Sequence, residues 1–301
     1  MRSLRLLSIP GILASLLIGC TNNKPEKSTP LPPDTKETII LTPAWKSDTL
    51  LTTSESVLYD ETYNILYVAC IGKVPTDARD GDGFIAKVGL DGKIIDRKWV
   101  TDLNGPKGMG LYGEYLYVAD ISRIVKIDIL SGKILATYEV PGATFLNDIA
   151  VDQNGRVYVS DTNTNTIYSL EGEDVTLFLQ DTLLGGPNGL LVEGDKLLVA
   201  GFDIGQVFTV DLTTKRVNPV LDELPGGDGI APFGDNLLIS NWNGEIYAVT
   251  NDWQKEKVLD IKNLDINAAD ITTIPAMNLV LVPTFYGNNV DAYRIQTQSD
   301  Q

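Results

Sequence analysis

One short pattern occurs six times along the chain, and this repeat limits the possible folds more than any other feature. Each copy contains a short apolar strand that begins with small or polar residues, a tight turn, and a second strand of the Leu-Tyr-Val-Ala type. Residues 145–161, FLNDIAVDQNGRVYVSD, show the pattern most clearly, with an Asp-Gln-Asn-Gly turn at their centre. Alignment of the copies places one residue of each at an equivalent position: Glu55, Lys107, Asn147, Asn188, Asp228 and Asp270.

The successive spacings of these positions are 52, 40, 41, 40 and 42 residues. A period near 40 residues, built from short strands, is typical of the blades of a propeller. Six copies therefore predict an all-β, six-bladed β-propeller over residues 37–301. Residues 36–42, KETIILT, predict an isolated strand that ends at Pro43. Because blade six supplies only three strands of its own, we expect this N-terminal strand to close the last blade and hide the sheet edges.

The first spacing is long because residues 73–83, KVPTDARDGDG, are inserted into blade one. Asp77, Asp80 and Asp82 loosely resemble a calcium-binding loop, but the EF-hand spacing and its final Glu are absent. The alternative interpretation is a solvated loop rich in Asp and Gly.

The N-terminus resembles a bacterial lipoprotein signal. Arg2 and Arg5 precede an apolar stretch at residues 6–18, which is too short for a typical membrane span. Leu-Ile-Gly-Cys at residues 17–20 resembles a lipobox, in which cleavage exposes a cysteine that is then acylated. We therefore expect a signal peptide at residues 1–19, a lipid on Cys20 and a flexible tether at residues 20–36. Thr21 follows the cysteine, and the absence of Asp there implies the outer membrane of the cell envelope by resemblance to enterobacterial sorting rules.

Charge and cysteine content exclude several kinds of partner. The net charge is −16, and it becomes −18 without the two arginines of the signal peptide. Such a surface should repel nucleic acid and anionic lipid, so we expect membrane contact through the lipid anchor alone. With Cys20 acylated, Cys70 has no cysteine partner in the chain, and its place on a strand predicts a buried, inert thiol.

The innermost strand of each blade lines the central channel, so the six equivalent positions predict a ring at its mouth. The ring would hold three carboxylates, two amides and Lys107, an arrangement that requires a compensating charge. A hard cation is one solution and Lys107 is another, and we expect Asp270 to pair with Lys107 across the channel. Alternatively Asn147, Asn188 and Asp228, each followed by Asp or Gly, could cap turns at strand starts.

The absence of histidine narrows the chemistry further. It excludes Ser-His-Asp and Cys-His catalysis and zinc sites built on imidazole. Oxygen ligands remain, and these suit Ca²⁺ first, with Mg²⁺ or Mn²⁺ as alternatives.

Several motifs resemble those of the gluconolactonase/regucalcin family of six-bladed propellers, also called senescence-marker-protein-like. They are Ser-Glu-Ser-Val-Leu-Tyr-Asp at residues 54–60, Leu-Asn-Asp-Ile-Ala-Val-Asp at 146–152, Pro-Asn-Gly-Leu at 187–190 and Gly-Asp-Gly-Ile at 227–230. The resemblance implies hydrolysis of a lactone or related ester by metal-activated water. It implies that Glu55, Asn188 and Asp228 bind a divalent metal, that Asp228 also acts as the catalytic base, and that Asn147 holds substrate.

The chain departs from the family at two positions. Phe145 stands where the family often has Arg, and Lys107 adds a cation to the ring, where we assign it to substrate binding. Three functions follow as hypotheses: a lipid-anchored, metal-dependent hydrolase, a non-catalytic propeller that binds a small ligand or an envelope protein, and a structural ring with a vestigial site.

Overall fold

Six four-stranded antiparallel sheets account for residues 37–299, the part of the chain that the computed structural model describes. The predicted signal peptide, Cys20 and the tether lie outside these residues. The sheets are the predicted six blades of an all-β propeller. Among the described residues, no helix is long and apolar enough to cross a membrane. The connections include four short 3₁₀ turns: Thr162–Thr164, Thr182–Leu184, Lys262–Leu264 and Pro275–Met277.

Each of blades one to five takes four consecutive strands, ordered from the channel outwards. Blade one contains β2 (Ser54–Asp60), β3 (Ile65–Cys70), β4 (Gly83–Val88) and β5 (Ile94–Leu103), and blade two contains β6 (Pro106–Tyr112), β7 (Tyr115–Asp120), β8 (Arg123–Asp128) and β9 (Ile134–Glu139). Blade three contains β10 (Leu146–Val151), β11 (Val157–Asp161), β12 (Thr166–Glu171) and β13 (Asp174–Gln180). Blade four contains β14 (Pro187–Glu193), β15 (Lys196–Gly201), β16 (Gln206–Asp211) and β17 (Val217–Leu221), and blade five contains β18 (Gly227–Phe233), β19 (Asn236–Asn241), β20 (Glu245–Val249) and β21 (Lys255–Asp260).

Blade six is closed by the N-terminal strand, as predicted. It contains β22 (Thr272–Ile274), β23 (Leu279–Thr284) and β24 (Asn289–Ser299), and β1 (Glu37–Lys46) pairs antiparallel with β24 as the outermost strand. The predicted end of β1 at Pro43 was wrong. Pro43 pairs with Tyr293, and the strand continues past a bulge between Pro43 and Trp45. Proline is tolerated there because the outer strand needs no N–H donor on its free side.

The apolar core lies between neighbouring blades rather than within one sheet. Val57 and Val68 of blade one, for example, share one buried cluster with Leu281 and Ala292 of blade six. Cys70 belongs to the same cluster and is fully buried. Burial raises the pKa of its thiol, so Cys70 is the inert thiol that was predicted.

Close approach of the inner strands explains the Gly residues that follow several ring positions. A Cβ atom at Gly189 would overlap the carbonyl oxygen of Asp228 in the next blade, although Gly189 does not adopt a positive φ. Asn188 and Asp228 are the second residues of β14 and β18. They therefore lie within strands and do not cap turns, and the glycine after each allows the strands to converge on the channel.

Candidate functional site

A cavity of about 150 Å³ opens at one end of the channel. We call it the ring cavity, and its lining residues are Glu55, Ile71, Thr76, Lys107, Phe145, Asn147, Asn188, Phe202, Asp228, Trp242 and Phe285. Five of the six predicted ring residues are among them. Each is the second residue of its inner strand, as the alignment of blades one to five required.

Asp270 does not belong to this ring, and here the prediction was wrong. Asp270 lies in register with Ser56, one residue past Glu55, in a parallel bridge between blades six and one. The ring position of blade six is held by Ala269, whose carbonyl oxygen accepts the Ser240 hydroxyl at 2.8 Å. The equivalent hydrogen bond between blades three and four runs from the Ser160 hydroxyl to the carbonyl oxygen of Asn188, also at 2.8 Å, so Ala269 occupies the position that Asn188 has in blade four. The expected pairing of Asp270 with Lys107 is therefore replaced by a hydrogen bond from the Ser56 hydroxyl at 2.7 Å.

Lys107 is buried inside the ring cavity, with 2% of its surface exposed. Its ammonium lies 4.6 Å from the centre of the Phe145 ring and donates a long hydrogen bond of 3.5 Å to the Thr76 carbonyl oxygen. Burial lowers the pKa of this amine, while the nearby charges of Glu55 and, more weakly, Asp228 favour the protonated form. Phe145 thus provides a cation–π surface for Lys107.

Two buried carboxylate oxygens in the ring cavity have no hydrogen-bond partner, Glu55 Oε2 and Asp228 Oδ1. Their residues are 6% and 2% exposed. Burial raises the pKa of Glu55 to about 8, with Lys107 opposing the rise and Asp270 adding to it. The pKa of Asp228 is raised well above its usual range, first by burial and then by Glu55 and Asp270. Unpartnered buried polar atoms are costly, so a cation or a hydrogen-bond donor that reached either oxygen would be bound favourably.

Asn147 presents its amide in a fixed orientation. Its Nδ2 group donates to the Thr162 hydroxyl at 3.1 Å, and that hydroxyl donates to the Pro187 carbonyl oxygen at 3.0 Å. One of the two Nδ2 hydrogens is engaged, so the second hydrogen and the carbonyl oxygen of Asn147 are the groups available to a ligand.

The wall of the ring cavity is apolar, and the sequence analysis missed it. Ile71, Phe202, Trp242 and Phe285 each follow directly after the second strand of a blade. This shared repeat position is visible in the sequence, where an apolar residue follows the second strand in each of these four blades. Phe145 completes the wall, and its backbone N–H donates to the Asp161 carboxylate at 3.2 Å.

A second pair of carboxylates lies deeper in the channel. Asp148 and Asp270 border a separate cavity of about 290 Å³, whose lining includes apolar residues of the inner strands of blades one to five and Ile271, just before β22. Asp148 accepts backbone N–H groups of Ile149 and Leu190, each at 2.6 Å, so its oxygens are satisfied. Burial, with Asp270 nearby, raises the pKa of Asp148 well above its usual range. The pKa of Asp270 is raised to about 7, also by burial.

The residues present fit a hard cation at the ring cavity. Glu55 and Asp228 offer the two unpartnered oxygens, and Asn188 lines the same cavity with an amide. Among residues 37–299 no group of three or more acidic or cysteine side chains is placed to hold a metal. A metal bound here would therefore depend on two carboxylates and amide oxygens, a ligand set that suits Ca²⁺.

The inserted loop at residues 73–83 behaves as a structured turn. Asp80 accepts the backbone N–H of Asp82 at 3.3 Å, and Asp82 accepts that of Lys73 at 3.2 Å. Thr76 of this loop lines the ring cavity and, through Lys107, connects the loop to it. These contacts are typical of a solvated Asp-Gly loop.

Comparison with known proteins agrees on the fold. Residues 144–167 match the NHL repeat. No curated protein matches the sequence. A catalytically inactive variant of virginiamycin B lyase from Staphylococcus aureus, in complex with quinupristin, is 15% identical, with a TM-score of 0.60 over 86% of this chain and 99% of that one.

Two further solved structures are similar to the same degree. Selenomethionine-substituted virginiamycin B lyase from Staphylococcus aureus is 14% identical, with a TM-score of 0.58 and the same coverage. A chain of a nidogen/laminin complex is 19% identical, with a TM-score of 0.61 over 74% of this chain and 85% of that chain. At these identities the similarity shows the propeller fold alone. One similar fold belongs to an enzyme and the other to a protein complex.

Proposed function

We propose that this protein is a metal-dependent hydrolase that opens a lactone or related ester in the ring cavity. The observation that carries the proposal is the pair of unpartnered, buried oxygens of Glu55 and Asp228 in one small cavity. Glu55, Asn188 and Asp228 would hold the metal, Ca²⁺ first and Mg²⁺ or Mn²⁺ as alternatives. When bound, the ion would polarise the ester carbonyl and activate water.

The side chains of the cavity have separate roles in this proposal. Asp228 would also take the proton from the attacking water, on the carboxylate oxygen that does not face the metal, since burial makes it a stronger base than an exposed carboxylate. The second Nδ2 hydrogen of Asn147 would donate a hydrogen bond to an ester oxygen of the substrate and orient it. The Lys107 ammonium would stabilise the negative charge that develops on the carbonyl oxygen. The apolar wall would exclude bulk water from the reacting groups.

A different function is favoured by Lys107. This buried ammonium already supplies positive charge to Glu55 and Asp228. If it takes the place of a metal, the ring cavity would bind a small ligand whose O–H or N–H groups donate to the two unpartnered oxygens. The protein would then be a non-catalytic binding propeller. The enzyme with a similar fold has a variant inactivated by replacement of a histidine, a residue type that this chain lacks, so its chemistry cannot be transferred.

Hydrolysis assays with and without metal distinguish the two functions. The purified protein should open simple γ- or δ-lactones with Ca²⁺ and stop when EDTA is added. Asp228→Asn should remove both activity and calcium binding measured by calorimetry. Asp235→Asn, at an exposed turn of the same blade, is the matched control and should change neither. Failure of the parent protein to hydrolyse any lactone or ester with any divalent metal would favour the binding propeller.

We also propose that the protein is lipid-anchored in the bacterial cell envelope, at the outer membrane, through Cys20. The support is the charge and length of the signal and the place of the cysteine at its end. Metabolic labelling with a radioactive fatty acid should mark the protein, and Cys20→Ser should abolish the label. Equal labelling of the variant would contradict the proposal.

A further inference from the structure

The ring cavity is too small to hold a whole substrate of ordinary size. Its volume of about 150 Å³ is well below the roughly 300 Å³ at which small-molecule pockets usually begin. The polar groups of Glu55, Lys107, Asn147, Asn188 and Asp228 all come from the ring, and the other lining residues are mostly apolar. A ligand can therefore place only a small polar head among these groups, and the rest of it must leave through the mouth.

A second cavity begins where the wall of the first one ends. We call it the rim groove; it measures about 480 Å³ and is lined by Thr52, Thr53, Gly72, Lys73, Val74, Tyr286 and Asn288. At two points, consecutive residues of the chain line the two cavities. Ile71 and Phe285 line the ring cavity, and the next residues, Gly72 and Tyr286, line the rim groove.

Hydrogen bonds hold the two sides of the rim groove together. The Thr53 backbone N–H donates to the Asn288 side-chain oxygen at 2.8 Å, which connects blade one to the β23–β24 turn of blade six. The Thr53 hydroxyl donates to the Gly72 carbonyl oxygen at 2.7 Å. The Tyr286 N–H donates to the Ile266 carbonyl oxygen at 3.1 Å. These hydrogen bonds therefore fix the shape of the groove.

Aromatic rings form an unbroken path from one cavity to the other. Trp242 and Phe285 meet edge to face with their centres 4.9 Å apart, and Phe285 meets Tyr286 in the same way at 5.0 Å. Tyr286 is 55% exposed, and Val74, also in the groove, is 59% exposed. Large apolar side chains that face water beside a polar cavity are typical of a surface that an apolar ligand covers.

We propose that the substrate is amphipathic: a lactone or ester with a small polar head and an aliphatic or aryl tail, the tail lying in the rim groove against Tyr286 and Val74. The nature of the head rests on the proposed hydrolase function, whereas the tail follows from the two cavities. A compact polyhydroxylated sugar lactone has no tail to occupy the groove and is a poorer substrate. The groove thereby sets specificity without touching the reacting atoms.

A series of γ-lactones with increasing alkyl chains tests the proposal in the full-length protein. The probes are γ-butyrolactone, γ-octalactone, γ-decalactone and glucono-δ-lactone, with turnover followed as kcat/KM and binding followed by calorimetry. Each methylene that enters the groove should improve kcat/KM or affinity by about twofold to fourfold. Tyr286→Ala and Val74→Ser, both at exposed positions, should remove this dependence on chain length.

The control is Tyr112→Ala, a similarly exposed tyrosine that lines a different surface groove with Tyr115 and Tyr117. It should keep the dependence on chain length. Hydrolysis with no dependence on chain length, or with preference for the sugar lactone, would overturn the amphipathic substrate while the hydrolase stands. Binding that strengthens with chain length, but without turnover, would support the ligand class and overturn the hydrolase. If no lactone of the series is bound or hydrolysed, both proposals fail.

Discussion

The Ser56 hydroxyl donates a hydrogen bond of 2.7 Å to the Asp270 carboxylate across the junction of blades one and six. Two backbone groups add to this contact, because the Asp270 N–H donates to the Glu55 carbonyl oxygen at 3.0 Å. The first residues of blade six are thereby fixed beside the inner strand of blade one. The junction between blades one and six thus contains a partly buried acidic group with one hydroxyl donor.

Replacement of Asp270 should change how stability depends on pH. Its pKa in the folded protein is about 7, against 3.8 as the usual value, so the folded state binds this proton more tightly than the unfolded chain. Proton binding by Asp270 therefore stabilises the folded protein fully below about pH 4, and this stabilisation is lost as the pH rises through about 7. At pH 8 Asp270→Asn should therefore be more stable than the parent by about 1–3 kcal/mol and should unfold at a higher temperature. At pH 4 the variant and the parent should be equally stable.

Thermal unfolding in EDTA between pH 4 and pH 8.5 measures this effect. Asp235→Asn, at an exposed turn, is the control and should follow the parent at every pH. A variant that loses stability equally at all pH values would show that Asp270 acts only through its hydrogen bond with Ser56.

Closure of the ring should depend on the inward face of the N-terminal strand. Ile39 is 9% exposed and packs in the cluster that contains Val280 and Tyr293, whereas its neighbour Ile40 is 37% exposed. Ile39→Ala should cost about 2–4 kcal/mol in urea unfolding, the range for a buried large-to-small substitution. Ile40→Ala is the matched control and should cost less than about 1 kcal/mol. Equal losses for the two variants would mean that the strand does not bury one face.

Removal of Lys107 should strengthen metal binding. Its ammonium acts electrostatically on Glu55 and Asp228, so it competes with any cation that these groups hold. Lys107→Met should lower the calcium dissociation constant by on the order of tenfold in calorimetry. Calcium binding by the variant but not by the parent would identify Lys107 as the resident cation and support the binding propeller. An unchanged constant would show that Lys107 does not oppose the metal.

Asn147 should affect turnover without affecting metal binding. Asn147→Ala removes the oriented amide, and kcat/KM for a lactone should fall by about tenfold to a thousandfold. The calcium dissociation constant should stay within a factor of about two, since Asn147 is not among the proposed ligands. Asn154→Ala, at the exposed turn of the same hairpin, should leave both quantities unchanged. A joint loss of metal and activity in Asn147→Ala would make Asn147 a ligand.

The six blades could be predicted because a 40-residue period is a global property that survives local errors. The position of Asp270 could not be predicted in the same way, because blade six was aligned to the other blades by this polar residue. The apolar residue that follows would have been the better guide: Ile271 corresponds to Ile230 of blade five, which places Ala269 opposite Asp228. A shift of one residue along a strand turns the side chain to a different surface. Asp270 lies one residue beyond the ring position, so its side chain borders the deeper cavity.

The polar part of the ring cavity was accessible from the sequence, and its apolar wall was not. Glu55 and Asp228 lie on inner strands, whose convergence follows from the fold. Phe202 and Phe285 lie just after second strands, and only the packing of neighbouring blades brings them over the ring. The electrostatic state of the site was equally hidden, since the pKa values of Glu55 and Asp228 depend on burial that no single repeat reveals.

The pairing of β1 with β24 has a consequence for biosynthesis. Glu37 is opposite Ser299 in the sheet, so the ribosome makes one partner more than 250 residues before the other. Until β24 emerges, the hydrogen-bonding edge of β1 and the half-built sixth sheet remain open to other chains. The ring therefore cannot close during most of translation, and slow, non-local pairing of this kind favours aggregation unless a holding chaperone covers the exposed edge.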